Sequence, residues 1–431
     1  MIEKIIDAVK SKVEAAETFF KETSVVEVSF EAGVLKNVER KNTYGIGLRV
    51  INEGRIGFSS SSDPSRIDEM VENACASSRF GKEARFEFPG GSEVYEVDTF
   101  DPAVETFSPL DAVSEGKRTV EMLKDNCPKG LTDIEFSSSV KTVRIANTSG
   151  LDISYRSTGF SHSVLSVIVE GDSVLWIHDG GHYGTLDIRT DDYVRKISDL
   201  ALKSETKAPK ISGSMPVLFT AKEMPNLLQS IEMGVNGKHL LKGDSPLIDR
   251  EGQSVLGNIT LTDDPCINHA PGSRPFDDEG IISHTNVLFK DGVFQTFLFD
   301  LDTATKTGHL STASASRGML SSPKIETSNL LISKGTSDLD QMISGIDEGI
   351  IVFGVLGGGQ SNLLAGDFAF NIMLGFMIRK GEIAGKLVNT MVSGNVYNAF
   401  GDISLMGKEV KPVGSMFVPD IMFSELSVSS R

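Results

Sequence analysis

Apolar residues recur at helical spacing from the start of the chain: Ile2, Ile5, Ile6, Val9, Val13, Ala16 and Phe20 fall on one face, predicting an amphipathic helix. The period then changes to two. Val26-Glu27-Val28-Ser29-Phe30 alternates, and strands are expected over 45–50 and 55–58 with Asn52-Glu53-Gly54 as the turn between them. Ile67, Met70, Val71 and Ala74 mark a second helix. The same order returns about a hundred residues later. Ser108-Pro109-Leu110-Asp111 reads as an N-cap, a first-turn proline and an acidic third residue, opening a helix through Val113, Val120 and Leu123. Strands follow over 134–136, 142–145, 151–155 and 164–169, and Thr190 caps a closing helix through Val194, Ile197, Leu200 and Ala201. Helix, meander, helix occurs twice, which suggests an internal duplication and makes residues 1–207 one α+β domain.

Residues 206–214 form a polar linker with the breakers a boundary needs. Beyond it, Pro216-Val217-Leu218-Phe219 reads as a strand, and Thr220 with Glu223 as a capping box for the next helix. The rest of 215–431 consists mostly of short strands: 285–290, an Asp291-Gly292 hairpin turn, 293–299, 350–355, and 368–379 ending in Lys380-Gly381-Glu382. So many closely spaced strands predict a β-rich, barrel-like or sandwich-like C-terminal domain, and an α+β protein as a whole.

A chain of 431 residues has room for two such cores. Its formal net charge of −17 argues against nucleic acid, which calls for a basic face, and agrees with a solvated acidic surface. Cys75, Cys127 and Cys266 lack metal-ligand spacing and cannot all pair, so a reduced, cytoplasmic setting is expected. The first residues carry acids where a signal peptide has its apolar run. The longest apolar stretch, 349–359, is too short and too glycine-rich to span a bilayer, so no membrane role is expected.

Several groups invite chemistry. His178 and His182 have the spacing of two ligands on one helix face, but Gly180 and Gly181 disfavour a helix and place the pair in a turn between strands. His162, His239, His269, His284 and His309 stand alone and read as surface or hydrogen-bonded residues. Arg274 followed by Asp277-Asp278-Glu279 could gather a divalent cation or could equally fix a loop through an Arg274 ion pair. Gly357-Gly358-Gly359-Gln360-Ser361-Asn362 lacks the Gly-Lys-Ser/Thr ending of a phosphate loop, and its glycines suit a tight loop where another backbone passes close by.

Leu227-Leu228-Gln229-Ser230-Ile231-Glu232-Met233-Gly234 opens the second half, followed by Asp263-Asp264-Pro265, 272–280 (Gly-Ser-Arg-Pro-Phe-Asp-Asp-Glu-Gly) and 291–298. Their order and spacing resemble the TldD/PmbA family, bacterial and archaeal proteins sometimes labelled modulators of DNA gyrase. In the TldD branch the matching helix carries His-Glu-x-x-x-His after a Leu-Leu pair, supplying two zinc ligands and a general base to a peptidase. Here those places hold Gln229, Ser230 and Gly234, and the family's C-terminal Cys-Gly-Lys is matched by Met406-Gly407-Lys408. Catalytic zinc takes three ligands from His, Asp, Glu or Cys, and a thioether is a poor substitute. Glu232 alone cannot generate hydroxide without a metal and is expected to be exposed or ion-paired. The pattern therefore resembles the PmbA (TldE) branch, which lacks the metal site.

That resemblance implies a subunit inactive alone, no cofactor in this chain, and a TldD-like partner that holds zinc and cuts unfolded or flexible peptides. It also implies that the acidic loop is structural and that the glycine loop lines the cavity near the peptide. A peptide could enter as an added strand. Two other readings stay open: a stand-alone metallopeptidase with an unidentified metal site, and a non-enzymatic homodimer that binds peptides.

Overall fold

The computed structural model describes residues 2–91, 93–171, 173–357 and 362–431. The first half runs α1 (Ile2–Val9), β1 (Ala15–Glu31), β2 (Val34–Asn52), β3 (Arg55–Ser61), α2 (Ile67–Ser78), α3 (Pro102–Thr106), α4 (Pro109–Asn126), β4 (Gly130–Asn147), β5 (Asp152–Glu170), β6 (Ser173–Tyr183) and α5 (Thr190–Lys203). Its six strands form one antiparallel sheet, β3-β2-β1-β4-β5-β6. Two three-stranded meanders thus meet along β1 and β4, with Glu17 opposite Asn147 and Phe30 opposite Ile134. Helix, meander, helix is repeated in space as it is along the chain.

Alternation on β1 sorts its side chains. Ala16 packs with Ile5, Val9, Met70 and Val71 of α1 and α2, and Val28 and Phe30 join Val120, Leu123, Val194 and Ile197 of α4 and α5. The odd positions Glu17, Phe19 and Lys21 face away from the helices, where Phe19 meets Val143, Ile145, Leu151 and Phe276. The opening helix ends at Val9, not Phe20. Ala16 and Phe20 are four apart, a spacing that satisfies a period of two as well as one of 3.6, and both lie on β1. The strands expected over 134–136 and 142–145 are one strand, as are the two that make β5. The Ser108–Asp111 capping box forms, whereas Thr190 is the first residue of α5, not its cap, and its hydroxyl donates to Glu115.

The second half opens with β7 (Ser212–Phe219), α6 (Met224–Gly234) and α7 (Gly237–Lys242). β7 pairs with Glu348–Gly357 in parallel and with Ile421–Ser430 antiparallel. Ile421–Ser430 pairs with Thr390–Asn395, that strand with Asp367–Arg379, and the last returns to Glu348–Gly357. The five strands close into a barrel, which decides between the barrel and sandwich alternatives. Val217, Phe219, Ile350 and Val352 share a core with Leu227, Leu228 and Ile231 of α6. Leu218, Ile351, Phe376 and Ile378 point outward and pack with the α4–α5 side of the first half. Burial on both faces explains why these strands read as unbroken apolar runs. Of the strand expected over 293–299, only Val293–Phe294 forms. The Thr220 capping box does not form: the Thr220 hydroxyl donates to the Val352 carbonyl at 3.1 Å, and the Glu223 carboxylate accepts from Val355 N at 3.2 Å and Asn226 Nδ2 at 3.1 Å. Among the described residues, no helix is long and apolar enough to cross a membrane.

Candidate functional site

The turn of α6 that carries the resemblance has two unlike sides. Gln229, Glu232 and Met233 line a cavity of about 360 Å³ with Asn236, His239 and Thr327. Ser230 and Gly234 face inward and are buried. At 3.6 residues per turn, positions five apart lie about 140° from one another, so 229 and 234 could converge only across the side occupied by Ser230. That side is filled. A Cβ on Gly234 would stand 2.2 Å from the Tyr397 hydroxyl, which donates to the Ser230 carbonyl at 3.4 Å. Burial pushes the Tyr397 phenol well above its ordinary range, keeping it neutral.

These residues do not fit a zinc ion. A side chain at position 234 would meet the Tyr397 hydroxyl at its first carbon, and Met406 lies on Ile403–Met406, a strand paired with Ile421–Ser430, outside the lining of the cavity beside Gln229. Among the described residues, no group of three or more His, Cys, Asp or Glu side chains is placed to hold a metal. Glu232 is neither exposed nor ion-paired, contrary to expectation: it is half-buried and accepts a hydrogen bond from the Thr327 hydroxyl. Burial lifts its carboxyl above the usual range, and nearby Asp263 and Glu326 add to the shift while the Thr327 bond opposes it.

The acidic stretch is buried, with Asp277 at 0%, Asp278 at 5% and Glu279 at 1% exposure. Arg274 is not its ion-pair partner; its guanidinium donates to the carbonyls of Ala315 and Ala313 at 2.9 and 3.2 Å. Asp277 accepts from the backbone N–H groups of Glu279, Ile281 and Ala315, and burial raises its carboxyl to about 7. Glu279 instead meets Arg49 at 2.6 Å. Arg49 also grips Glu17, its cross-strand neighbour, through Nε at 3.1 Å and Nη2 at 2.9 Å. Arg317, fully buried over the Phe19 ring, adds a 2.6 Å contact to Glu17. Two carboxylates and two guanidiniums thus join the first-half sheet to the second half. Sequence reading missed Glu17, Arg49 and Arg317, although the first two carried a signal: each is a charge set within apolar strand residues, Ala16-Glu17-Thr18-Phe19 and Leu48-Arg49-Val50. Tyr397 carried none.

His178 and His182 lie on β6 itself, not in a turn. Four residues of strand separate them by about 13 Å, too far to share a metal. His178 Nδ1 contacts Lys222 Nζ at 2.9 Å, and burial, with Lys222 close by, brings its pKa down to about 4. His162 departs from the surface-or-bonded expectation: it is fully buried, stacked on Phe136, and its ring nitrogens have no hydrogen-bond partner. His239 and His269 pair with Asp244 and Asp98 at 2.8 and 3.0 Å. His284 and His309 make local contacts to the Ile282 carbonyl and the Thr307 hydroxyl. In the glycine-rich loop, Gly358, Gly359 and Gln360 lie outside the described residues. Gly357 ends a barrel strand with φ of 107°, and Asn362 accepts from Ala365 N at 3.3 Å, capping a single turn packed on α6.

With this geometry in hand, known proteins can be compared. Models of the PmbA/TldA metallopeptidase match domain 1 over residues 16–78, the central domain over 103–205 and the C-terminal domain over 212–430. The chain is 25% identical over 430 residues to an uncharacterised protein of Methanocaldococcus jannaschii, covering 98% of each. It is 23% identical over 443 residues to Metalloprotease PmbA of Escherichia coli O157:H7, covering 99% of this chain and 94% of the other. The crystal structure of TldE from Thermococcus kodakarensis matches with a TM-score of 0.92 over 100% of both chains at 22% identity, a likeness that carries the fold. Because the C-terminal model alone spans more than half of the sequence, this chain belongs to the PmbA/TldA metallopeptidase family.

Proposed function

We propose that this chain is the metal-free, PmbA/TldE-like subunit of a TldD-type zinc metallopeptidase, without catalysis of its own, working in the reduced cytoplasm on unfolded or flexible peptides. Its mate would be a TldD-like subunit carrying zinc, and this chain would complete the cavity in which the peptide is held. One observation carries the reading: Tyr397 occupies the space that a ligand at position 234 would need. A ligand side chain at position 234 would therefore have to displace the Tyr397 hydroxyl as well as replace the glycine.

The test is elemental mass spectrometry on the purified, untagged chain after dialysis without chelator, alongside Gln229→His/Ser230→Glu/Gly234→His. Zinc well below one per chain is expected in both, and peptide hydrolysis only on mixing with a co-encoded TldD-like protein. About one tightly held zinc in the native chain would sink the reading in favour of a stand-alone peptidase. Peptide binding by a stable homodimer that gains no activity on mixing would do the same in favour of a non-enzymatic binder.

A further inference from the structure

Beyond the acid–base network, the outward face of the first-half sheet changes character. Lys21 follows Glu17 and Phe19 on the odd face of β1, and Lys141 of β4 sits opposite Thr23, two residues along. With Arg274 they line a cavity of about 300 Å³ whose wall includes Tyr155, Asp278 and Thr327. Three cations therefore line the cavity with one carboxylate, Asp278, which accepts from Arg317 N at 2.7 Å, while Glu326 acts on Lys21 and Asp277 on Arg274 from behind the wall. Among the described residues Lys21 Nζ donates to the Arg317 carbonyl at 3.3 Å, and Lys141 Nζ lies over the Tyr155 ring, 5.6 Å from its centroid. Arg274 is 8% exposed and keeps a buried Nε–H with no partner. Burial pulls both lysines below their ordinary range; neighbouring cations add to this, and Asp278 opposes it, joined at Lys21 by Glu326. Three cations drawn together at a part-buried site repel one another, and an anion bound among them relieves that cost.

We propose that this cavity is a receptor for a carboxylate, the C-terminal end of a bound peptide. Arg274 is held in place by two carbonyls before any ligand arrives, so little ordering is needed on binding. Asp278 in the wall penalises a doubly charged phosphate more than a singly charged carboxylate. Thr327 is shared with the cavity lined by Gln229 and Glu232, so a chain ending on the lysines continues toward α6. The proposal rests on the preceding reading only in taking a peptide as the carrier. Its assay needs neither zinc nor a mate, so it can fail while the subunit reading stands, and the reverse.

The experiment is isothermal titration calorimetry of the full chain with acetyl-trialanine, as the free acid and as the C-terminal amide, in a buffer low in chloride and free of phosphate. The acid is expected to bind about tenfold or more tightly than the amide. Lys21→Gln/Lys141→Gln should abolish that preference, and Lys141→Arg should retain it. Equal binding of acid and amide, or no binding of either, overturns the proposal with native protein alone, whatever the variants do. Inorganic phosphate binding through the same lysines while the acid does not bind would make this a phosphate site and overturn it too.

Discussion

Two buried segments of the second half sit where the family resemblance is strongest, and they have gone opposite ways. On α6 the ionisable motif positions are occupied by Gln229, Ser230 and Gly234, and Tyr397 packs into the space. In the acidic stretch three carboxyl groups stay buried, and Glu279 is matched at 2.6 Å by Arg49 from the other half of the chain. The difference teaches what holds a charge in a protein interior. A buried carboxyl group is held either by a fixed opposite charge, as Glu17 and Glu279 are, or by backbone N–H groups, as Asp277 is, whereas position 234 of α6 is closed off by packing. The acidic stretch is a joint between the halves, whereas α6 presents Gln229 and Glu232 to a cavity and packs Ser230 and Gly234 inward.

The largest expected effect breaks the joint. Arg317→Met leaves Glu17, itself 0% exposed, with Arg49 as its remaining ion-pair partner, which Glu279 also claims. Removing one member of a buried ion-pair set costs about 3–5 kcal/mol. Gln229→Ala, on the exposed side of α6, should stay within about 0.5 kcal/mol of native. Urea denaturation of both variants measures the contrast, and a loss below about 1 kcal/mol for Arg317→Met would show that the network does not tie the halves together.

How much of this could be read from the sequence follows the same division. The Ser108–Asp111 capping box, the helices α2, α4 and α5, and the turns at Glu53-Gly54 and Asp291-Gly292 depend on neighbours in sequence, and their signals were visible. Strand closure was not. Val217-Leu218-Phe219 shows that a strand is buried, but its pairing with residues 350–352 is decided by a partner more than a hundred positions away. Thr220 and Glu223 have the letters of a capping box and fail to form one because the Val352 carbonyl and the Val355 N–H compete for them. At the candidate site, the loss of ligand residues was plain in Gln229, Ser230 and Gly234. The filling of the space by Tyr397, and the pairing of Glu279 with Arg49 instead of Arg274, were beyond the reach of local pattern.

A second test sharpens the contrast through pH. Burial tends to raise Glu17, but Arg317 and Arg49 outweigh it and hold the carboxyl below its ordinary range. Glu223, at the start of α6, is lifted by burial to about 7, with Lys222 offsetting only part of the rise. Between about pH 4.5 and 7 the folded chain therefore keeps a proton on Glu223 that the unfolded chain has released, so this group makes stability fall as pH rises through that window. Glu17 acts in the opposite sense, its contribution being present above its unfolded pKa and lost as pH falls through the folded one. Glu223→Gln should remove a stability decline on the order of 2–3 kcal/mol between pH 5 and 7, measured as unfolding free energy at several pH values. An unchanged slope would mean that Glu223 is ionised in the folded protein at pH 5.

The smallest expected effect bears most directly on whether position 234 of α6 could accept a side chain. Gly234→Ala places a Cβ 2.2 Å from the Tyr397 hydroxyl but 3.5 Å from the ring carbon that bears it, so the clash is with the oxygen alone. Overpacking of this kind costs about 1–3 kcal/mol, against a gain of up to about 1 kcal/mol from alanine's better helix propensity. Tyr397→Phe gives up one long hydrogen bond of 3.4 Å and should cost about 0.5 kcal/mol. The double variant should then be more stable than the sum of the two single changes implies, by about 1 kcal/mol, because removing the hydroxyl makes room for the new methyl group. Unfolding curves for the three variants measure this coupling. Strict additivity would mean that Tyr397 gives way freely and that position 234 could again accept a side chain, which would remove the main support for the metal-free reading.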